Sequence, residues 1–330
     1  AFLVSLVLLF GLAITESRTG LLSLVVLISW WFGKRGKVGF LLTPEKLGIP
    51  VIFYVCCFWF WPSIYAYIQA GGVSEHVGAQ WVQVNTSAGT RLTVWPQLLE
   101  AVWRHPWFGW GLREVSEAQN LVLDAYSFSE PFTYAHNLFL EMAVGMGIPL
   151  TALVSFALFA WLWRCIRETK ELLTWYCLAL LLPFGVHCLL EFPYAYAYLL
   201  APVMLAIGVL EGRLMPRNNF RIGWWPAAIG LLVLISAMAW SVVEYFSLEE
   251  DFRVARFEAL RIGVTPSDYA KPKVILLTQL DALAAGARIV PASGMSFDRV
   301  ELMRRVAMRF PWPALQNRYA LALALNGNPE

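Results

Sequence analysis

The stretch Phe132-Thr133-Tyr134-Ala135-His136-Asn137-Leu138-Phe139-Leu140-Glu141 sets one imidazole where a polar segment gives way to a long apolar run. Imidazole is the side chain whose ordinary pKa suits proton transfer near neutrality. Two arginines stand where a largely apolar chain should resist charge. Arg18 lies in the break Glu16-Ser17-Arg18-Thr19-Gly20 between apolar runs, and Arg91 opens the segment that ends at Glu100. Guanidinium is planar, permanently charged and suited to paired hydrogen bonds with phosphate oxygens. Two arginines and one histidine at a membrane surface could hold a lipid-linked diphosphate and deprotonate an incoming hydroxyl. Plainer roles fit the same residues. Arg18 could snorkel to head groups, Arg91 could cap a loop helix or pair with Glu100, and His136 could be an inert, hydrogen-bonded residue at the start of a helix. Spacing alone does not choose between these readings.

The elements that must position these groups are membrane helices. The 330 residues are 58% hydrophobic and only 15% charged, with a mean hydropathy of +0.57, whereas a soluble domain carries about a quarter charged residues. Sixteen tryptophans fit many membrane–water interfaces. The net charge of +2 is uninformative about nucleic acid, but the sequence has no basic stripe, phosphate-binding loop or dinucleotide fingerprint, so no nucleic-acid partner is expected. Cys56, Cys57, Cys165, Cys177 and Cys188 fall in or beside apolar runs without metal-site or disulfide spacing. The chain opens at Ala1 inside an apolar run with no signal-peptide features, which reads as a piece lacking upstream helices.

Taken in order, spans are expected at residues 1–15, 21–32, 48–68, 137–163, 172–190, 196–210 and 224–246. Reading 1–32 as one helix would bury Arg18 at mid-bilayer, at about 3 kcal/mol; two spans with a tight turn put it at one face. Lys34, Arg35, Lys37 and Lys46, then Arg164, Arg167 and Lys170, then Arg213, Arg217 and Arg221 fill three successive loops on the opposite side, which the positive-inside rule makes cytoplasmic. The Arg18 turn, the loop 69–135 and the tail 247–330 then share the outer side. The expected architecture is an all-α polytopic membrane protein of about seven spans, with a core at 1–246. In the tail, helical segments at 247–263, 273–289, 297–310 and 314–325 alternate with Pro/Gly breaks and resemble tetratricopeptide-type helix pairs.

Other candidates are secondary. His187 and Glu191 are four apart and share a helix face, so they could line a pocket or simply contact one another. Glu141, five residues beyond His136, is suited to loop packing rather than proton relay. Trp107 and Trp110 sit in an aromatic loop with Trp103, His105 and Phe108, equally able to stack on sugars or to anchor the loop. His76 reads as solvated. No acidic pair of metal-binding type occurs in the outer loop, so no metal is expected.

Three motifs carry a family resemblance. Ser17-Arg18-Thr19-Gly20-Leu21 is similar to an arginine turn. Arg91 followed by His105-Pro106-Trp107-Phe108-Gly109-Trp110-Gly111 is similar to an arginine and "hPwfGwG" loop. His136-Asn137-Leu138-Phe139-Leu140-Glu141 with Gly145, Gly147 and Pro149 is similar to an "HNlflE…G.G.P" block. Together they resemble the O-antigen ligase/polymerase superfamily. The segment His187-Cys188-Leu189-Leu190-Glu191-Phe192-Pro193-Tyr194 looks like that of its PglL-type O-oligosaccharyltransferase branch. The resemblance implies a metal-independent, cofactor-free glycosyltransferase in the bacterial inner membrane, facing the periplasm. Its donor would be an undecaprenyl-diphosphate-linked glycan and its acceptor a Ser or Thr hydroxyl of a pilin-like exported protein. Arg18 and Arg91 would grip the diphosphate, His136 would activate the hydroxyl, and Asn137, Glu141, His187, Glu191, Trp107 and Trp110 would border the pocket. An O-antigen ligase acting on lipid A core, or a Wzy-like polymerase acting on a growing glycan, would use the same groups. A transporter of lipid-linked sugars would instead carry charges at the bilayer midplane, where this chain has none.

Overall fold

The computed structural model describes residues 2–15, 17–36, 38, 44–70, 87–126, 129–214 and 223–327. Of Arg18 and Lys46 only the backbone is described, and Glu16, Lys37, His76, Arg217 and Arg221 lie outside the described residues. The secondary structure is helical, with no strand among the described residues. The chain divides into two compact units: residues 1–130 with 134–216, and residues 131–133 with 217–330.

The first unit holds α1 (Phe2–Ile14), α2 (Arg18–Lys34), α3 (Pro44–Ala70), α4 (Ser87–Arg104), α5 (Val115–Asn120), α6 (Leu138–Glu168), α7 (Leu172–Cys188) and α8 (Ala197–Leu214). The second holds α9 (Trp224–Leu260), α10 (Thr278–Ala287), α11 (Phe297–Arg309) and α12 (Pro313–Leu325). Among the described residues four helices are long and apolar enough to cross a membrane, namely α3 over Leu47–Tyr65, α6, α8 and α9; α1, α2 and α7 are apolar but shorter. The polar break after residue 14 does separate two helices. Ser17 caps α2, its hydroxyl accepting from the Gly20 N–H at 3.1 Å, and this supplies a partner to an otherwise orphaned donor.

At the other end of α2, Trp30, Trp31, Cys165, Trp175, Leu178, Leu181 and Leu210 form a buried cluster. The Trp30 indole donates to the Trp175 carbonyl at 3.2 Å. Lys34 is 6% exposed. Its ammonium donates to the Ile166 carbonyl and, at 3.1 Å, to the Thr169 carbonyl, closing the last turn of α6. It also lies 5.3 Å from the Trp30 ring centroid. A cation suits a helix C-terminus, where free carbonyls carry the negative end of the dipole. Lys34→Met keeps the aliphatic stem and strands those carbonyls in a buried place. It is expected to destabilise the protein by about 1–3 kcal/mol, read as a lowered melting temperature in detergent. Of the cysteines, Cys165, Cys177 and Cys188 are buried, and all five are free thiols.

The fourth expected span differs from its sequence reading. α6 is interrupted at Gly147, whose backbone leaves the helix at φ 77, ψ 170. Two residues later Pro149 has no N–H to return to the Gly145 carbonyl. The loop after α4 repairs this break. Trp110 N–H donates to the Val144 carbonyl at 2.8 Å and Gly111 N–H to the Gly145 carbonyl at 3.0 Å, while Ile148 N–H donates to the Pro106 carbonyl at 2.7 Å. Residues 148–168 then supply the membrane-length part, about 31 Å at the standard rise. The part from Leu138 to the break is a separate short helix that starts at the histidine block.

In the second unit, α9 runs without interruption from Trp224 to Leu260. At about 55 Å it is much longer than the roughly 30 Å apolar thickness, and residue 246, where the composition changes, lies inside it. Its polar end organises the shorter helices. Glu244, 3% exposed, accepts from the N–H groups of Ile275, Leu276 and Leu277 at 2.8, 2.9 and 2.9 Å at the start of α10. Arg288 spans Asp251 with two bonds of 2.7 and 2.8 Å and reaches Glu258 at 2.8 Å. Leu283, Val306, Ala307 and Leu315 form the core where α10, α11 and α12 meet.

Candidate functional site

His136 precedes the helix rather than starting it. Its φ is +54, a left-handed conformation that costs an L-residue roughly 1 kcal/mol or more. The surroundings hold it there. Asn137 caps α6, its Oδ1 accepting from Phe139 and Leu140 N–H at 3.0 and 3.1 Å, while its Nδ2 donates to the Leu189 carbonyl at 3.1 Å. Ala135 is gripped from both sides. Its carbonyl accepts from the Trp95 indole of α4 at 2.9 Å, and its N–H donates to Glu141 Oε2 at 2.6 Å. Glu141 thus packs the loop. Phe192 meets the imidazole edge to face at 4.7 Å.

The ring nitrogens have distinct surroundings. Nδ1 lies 2.9 Å from the Tyr134 carbonyl, which only accepts, so this nitrogen carries the proton. Nε2 is left with its lone pair, 3.8 Å from Glu191 Oε2. Burial holds the imidazole pKa below its ordinary 6.5, and the nearby Arg91 charge acts in the same direction. The Tyr134 carbonyl and the Glu191 carboxylate oppose the shift without reversing it. The neutral ring is therefore the form at pH 7.

Arg91, in α4, donates through Nη2 to Glu191 Oε1. Glu100 instead pairs with Arg104 at 2.6 Å, so the pairing of Arg91 with Glu100 weighed from sequence is not the one that forms. One carboxylate therefore stands between Arg91 and His136. Glu191 also lines a cavity of about 270 Å³ together with Ser17, Thr19, His187, Phe192 and Tyr196. Ser17 and Thr19 flank Arg18, so the arginine turn borders the same space as the residue joining Arg91 and His136. Clefts for drug-sized ligands start at about 300 Å³; this one suits a head group rather than a whole glycan.

The remaining candidates divide. His187 and Glu191 share the cavity wall. Trp110 is committed to the loop, its indole donating to the Ala101 carbonyl at 2.8 Å with the His105 ring 4.1 Å away. Trp107 is exposed, and its backbone lies against the Gly147 break. Among the described residues no three His, Cys, Asp or Glu side chains gather as a metal ion would need. Sequence reasoning missed Trp95, Tyr134 and Phe192 as supports of the imidazole. It also missed Arg113, which donates to the Tyr134 hydroxyl at 2.8 Å. All but Arg113 stood inside stretches already singled out, and their polar or aromatic character there was the available signal.

The profile of the O-Antigen ligase family matches residues 3–155, and that of the family described as "Virulence factor membrane-bound polymerase, C-terminal" matches residues 175–330. The General O-oligosaccharyltransferase of Acinetobacter baylyi is 24% identical over 334 residues, covering 98% of this chain and 56% of that protein. The ComP-specific O-oligosaccharyltransferase of the same organism is 35% identical over 130 residues, 38% of this chain and 23% of that protein. The chain thus spans about half the length, or less, of the curated relatives it matches. No solved structure matches it. The residues that carry Arg18, Arg91 and His136 thus match the O-Antigen ligase family, and those that carry His187, Glu191 and the tail match the C-terminal part of the membrane-bound polymerase family.

Proposed function

We propose that the protein transfers an oligosaccharide from an undecaprenyl-diphosphate donor to Ser or Thr hydroxyls of exported, pilin-like proteins, at the periplasmic face of the bacterial inner membrane. The observation that carries the reading is the meeting of a guanidinium and an imidazole at the carboxylate of Glu191, which also lines a cavity bordered by Ser17 and Thr19 of the Arg18 turn. The similarity to two O-oligosaccharyltransferases supports the protein acceptor. In this reading seven spans alternate across the membrane, the three short apolar helices included. The loop 69–135 and the tail 247–330 lie on the periplasmic side, and the Lys/Arg-rich connections lie inside.

The acceptor oxygen attacks the anomeric carbon, its proton passes to His136 Nε2, and the carbon–oxygen bond to the diphosphate breaks. The electron pair leaves on the lipid diphosphate, whose growing charge Arg91 and Arg18 stabilise in a partly dehydrated place. Asn137 and Glu141 hold the histidine loop at the pocket edge, and His187 faces the donor side.

The test is transfer by the full-length protein in proteoliposomes, offered a polyprenyl-diphosphate-linked glycan with either a Ser-containing protein or lipid A core. Glycan on the protein supports the reading; glycan on neither acceptor overturns it. The O-Antigen ligase match over residues 3–155 favours a second reading, which transfer to lipid A core alone would establish. The pH profile gives a separate check. The active form is the neutral imidazole, and its pKa lies below 6.5, so the acid limb of kcat/KM should fall below pH 6.5, with full activity at pH 7. A limb centred above pH 7 would contradict this assignment of the base.

A further inference from the structure

We infer that Glu191 is a positioning carboxylate with two partners, holding Arg91 while the donor is absent and passing to His136 when a diphosphate takes its place on the guanidinium. The inference rests on the proposed function. Carboxylate and phosphate compete for the same guanidinium fork, and Glu191 Oε1 already occupies Arg91 Nη2. A diphosphate arriving at Arg91 therefore meets both an engaged donor and a like charge. Glu191 has room to leave. It sits in the turn beyond α7 rather than within the helix, its own N–H held by the His187 carbonyl at 2.8 Å, and its side chain is on the cavity wall.

The other carboxylate oxygen marks the destination. Its 3.8 Å separation from His136 Nε2 is too long for a hydrogen bond, as expected for a neutral nitrogen facing an anion. Once Nε2 accepts the hydroxyl proton, the imidazolium needs a nearby negative charge, and a small movement of Glu191 supplies it. The proton stays on the imidazole. Around His136 the charged groups are Glu191, from the turn after α7, and Arg91, from α4; around Glu191 they are Arg91 and His136, with His187 on the same cavity wall. Arg91 repels the imidazolium, so Glu191 offsets it.

The experiment measures kcat, donor KM and the pH dependence of kcat for the full-length protein, using a polyprenyl-diphosphate-linked disaccharide and a Ser-containing acceptor. Glu191→Gln is expected to lower kcat by about 10- to 100-fold. It should lower the donor KM, and shift the acid limb of kcat down by about one pH unit because the imidazolium loses its stabilising charge. A carboxylate that merely braces Arg91 would give the opposite: a raised KM with kcat and the limb unmoved. Should the glutamine variant fold poorly, Glu191→Asp carries the test, since it keeps the charge on a shorter arm. It should retain the wild-type limb with a smaller loss of kcat, and a downward shift would overturn the inference. His136→Ala separates the two layers. If it abolishes transfer while Glu191→Gln behaves as a brace, the inference alone fails; transfer surviving His136→Ala would remove the reading beneath it.

Discussion

His136→Ala is expected to lower glycan transfer by about a thousandfold, within the 10²–10⁴ range of a well-placed general base. A hydroxyl is a poor nucleophile until its proton has somewhere to go, and in the proposed reading it goes to His136 Nε2, beside the Glu191 carboxylate at 3.8 Å. The fold should tolerate the change. Alanine meets the same left-handed backbone at position 136, and the lost bond from Nδ1 to the Tyr134 carbonyl is worth about 1 kcal/mol. Single-turnover transfer measured beside a melting temperature in detergent gives the result directly. Near wild-type transfer with an unchanged melting temperature would return His136 to the inert, hydrogen-bonded role the sequence also allowed.

Gly147→Val should produce the largest loss of stability. A Cβ at this position would lie 2.5 Å from the Trp107 carbonyl carbon and oxygen, and the φ of +77 is one that valine avoids. The neighbouring atoms are backbone, so no side chain can swing away. The loop from Pro106 to Gly111 would have to lift from α6, freeing the Val144, Gly145 and Pro106 carbonyls from the N–H groups of Trp110, Gly111 and Ile148. A loss of at least about 3 kcal/mol follows from the strain and the broken bonds together. Gly185→Ala serves as the control, since its Cβ would meet nothing within 4 Å. Gly109→Ala meets the Val144 carbonyl oxygen at 2.5 Å from the other side of the same contact. Its effect should combine with that of Gly147→Val less than additively, because either one alone separates the loop from the helix. Additive losses, or a Gly147→Val protein as stable as wild type, would show that the loop does not depend on this contact.

The order of helices was legible in the residues. A bilayer demands long apolar runs and marks their ends with charge, so the break at Ser17, the run into α3 and the start of α7 each fell within a few residues of the observed elements. The histidine block was legible for a related reason: a titratable group at the edge of an apolar run is costly and stands out. The continuity of α9 through residue 246 was not. Composition changes at residue 246, yet no glycine or proline interrupts the chain before Gly263, and a helix leaving a membrane keeps its own hydrogen bonds without any need to stop.

What the sequence determined by itself was which groups are present and that they stand at the ends of apolar runs; which of them meet was decided by tertiary packing. Arg91 and Glu100 are nine residues apart, which places them about 180° apart around a helix, so Arg91 cannot use that neighbour on α4. Its partner Glu191 lies 100 residues away in sequence. It arrives only because α4 and α7 both lie against α6. The break at Gly147 is similar. The glycine and Pro149 announce that α6 loses hydrogen bonds, but the groups that replace them come from a loop near residue 110. Local periodicity records the helix a residue sits on, while such pairings depend on how separate helices pack, and no spacing within one segment carries that information.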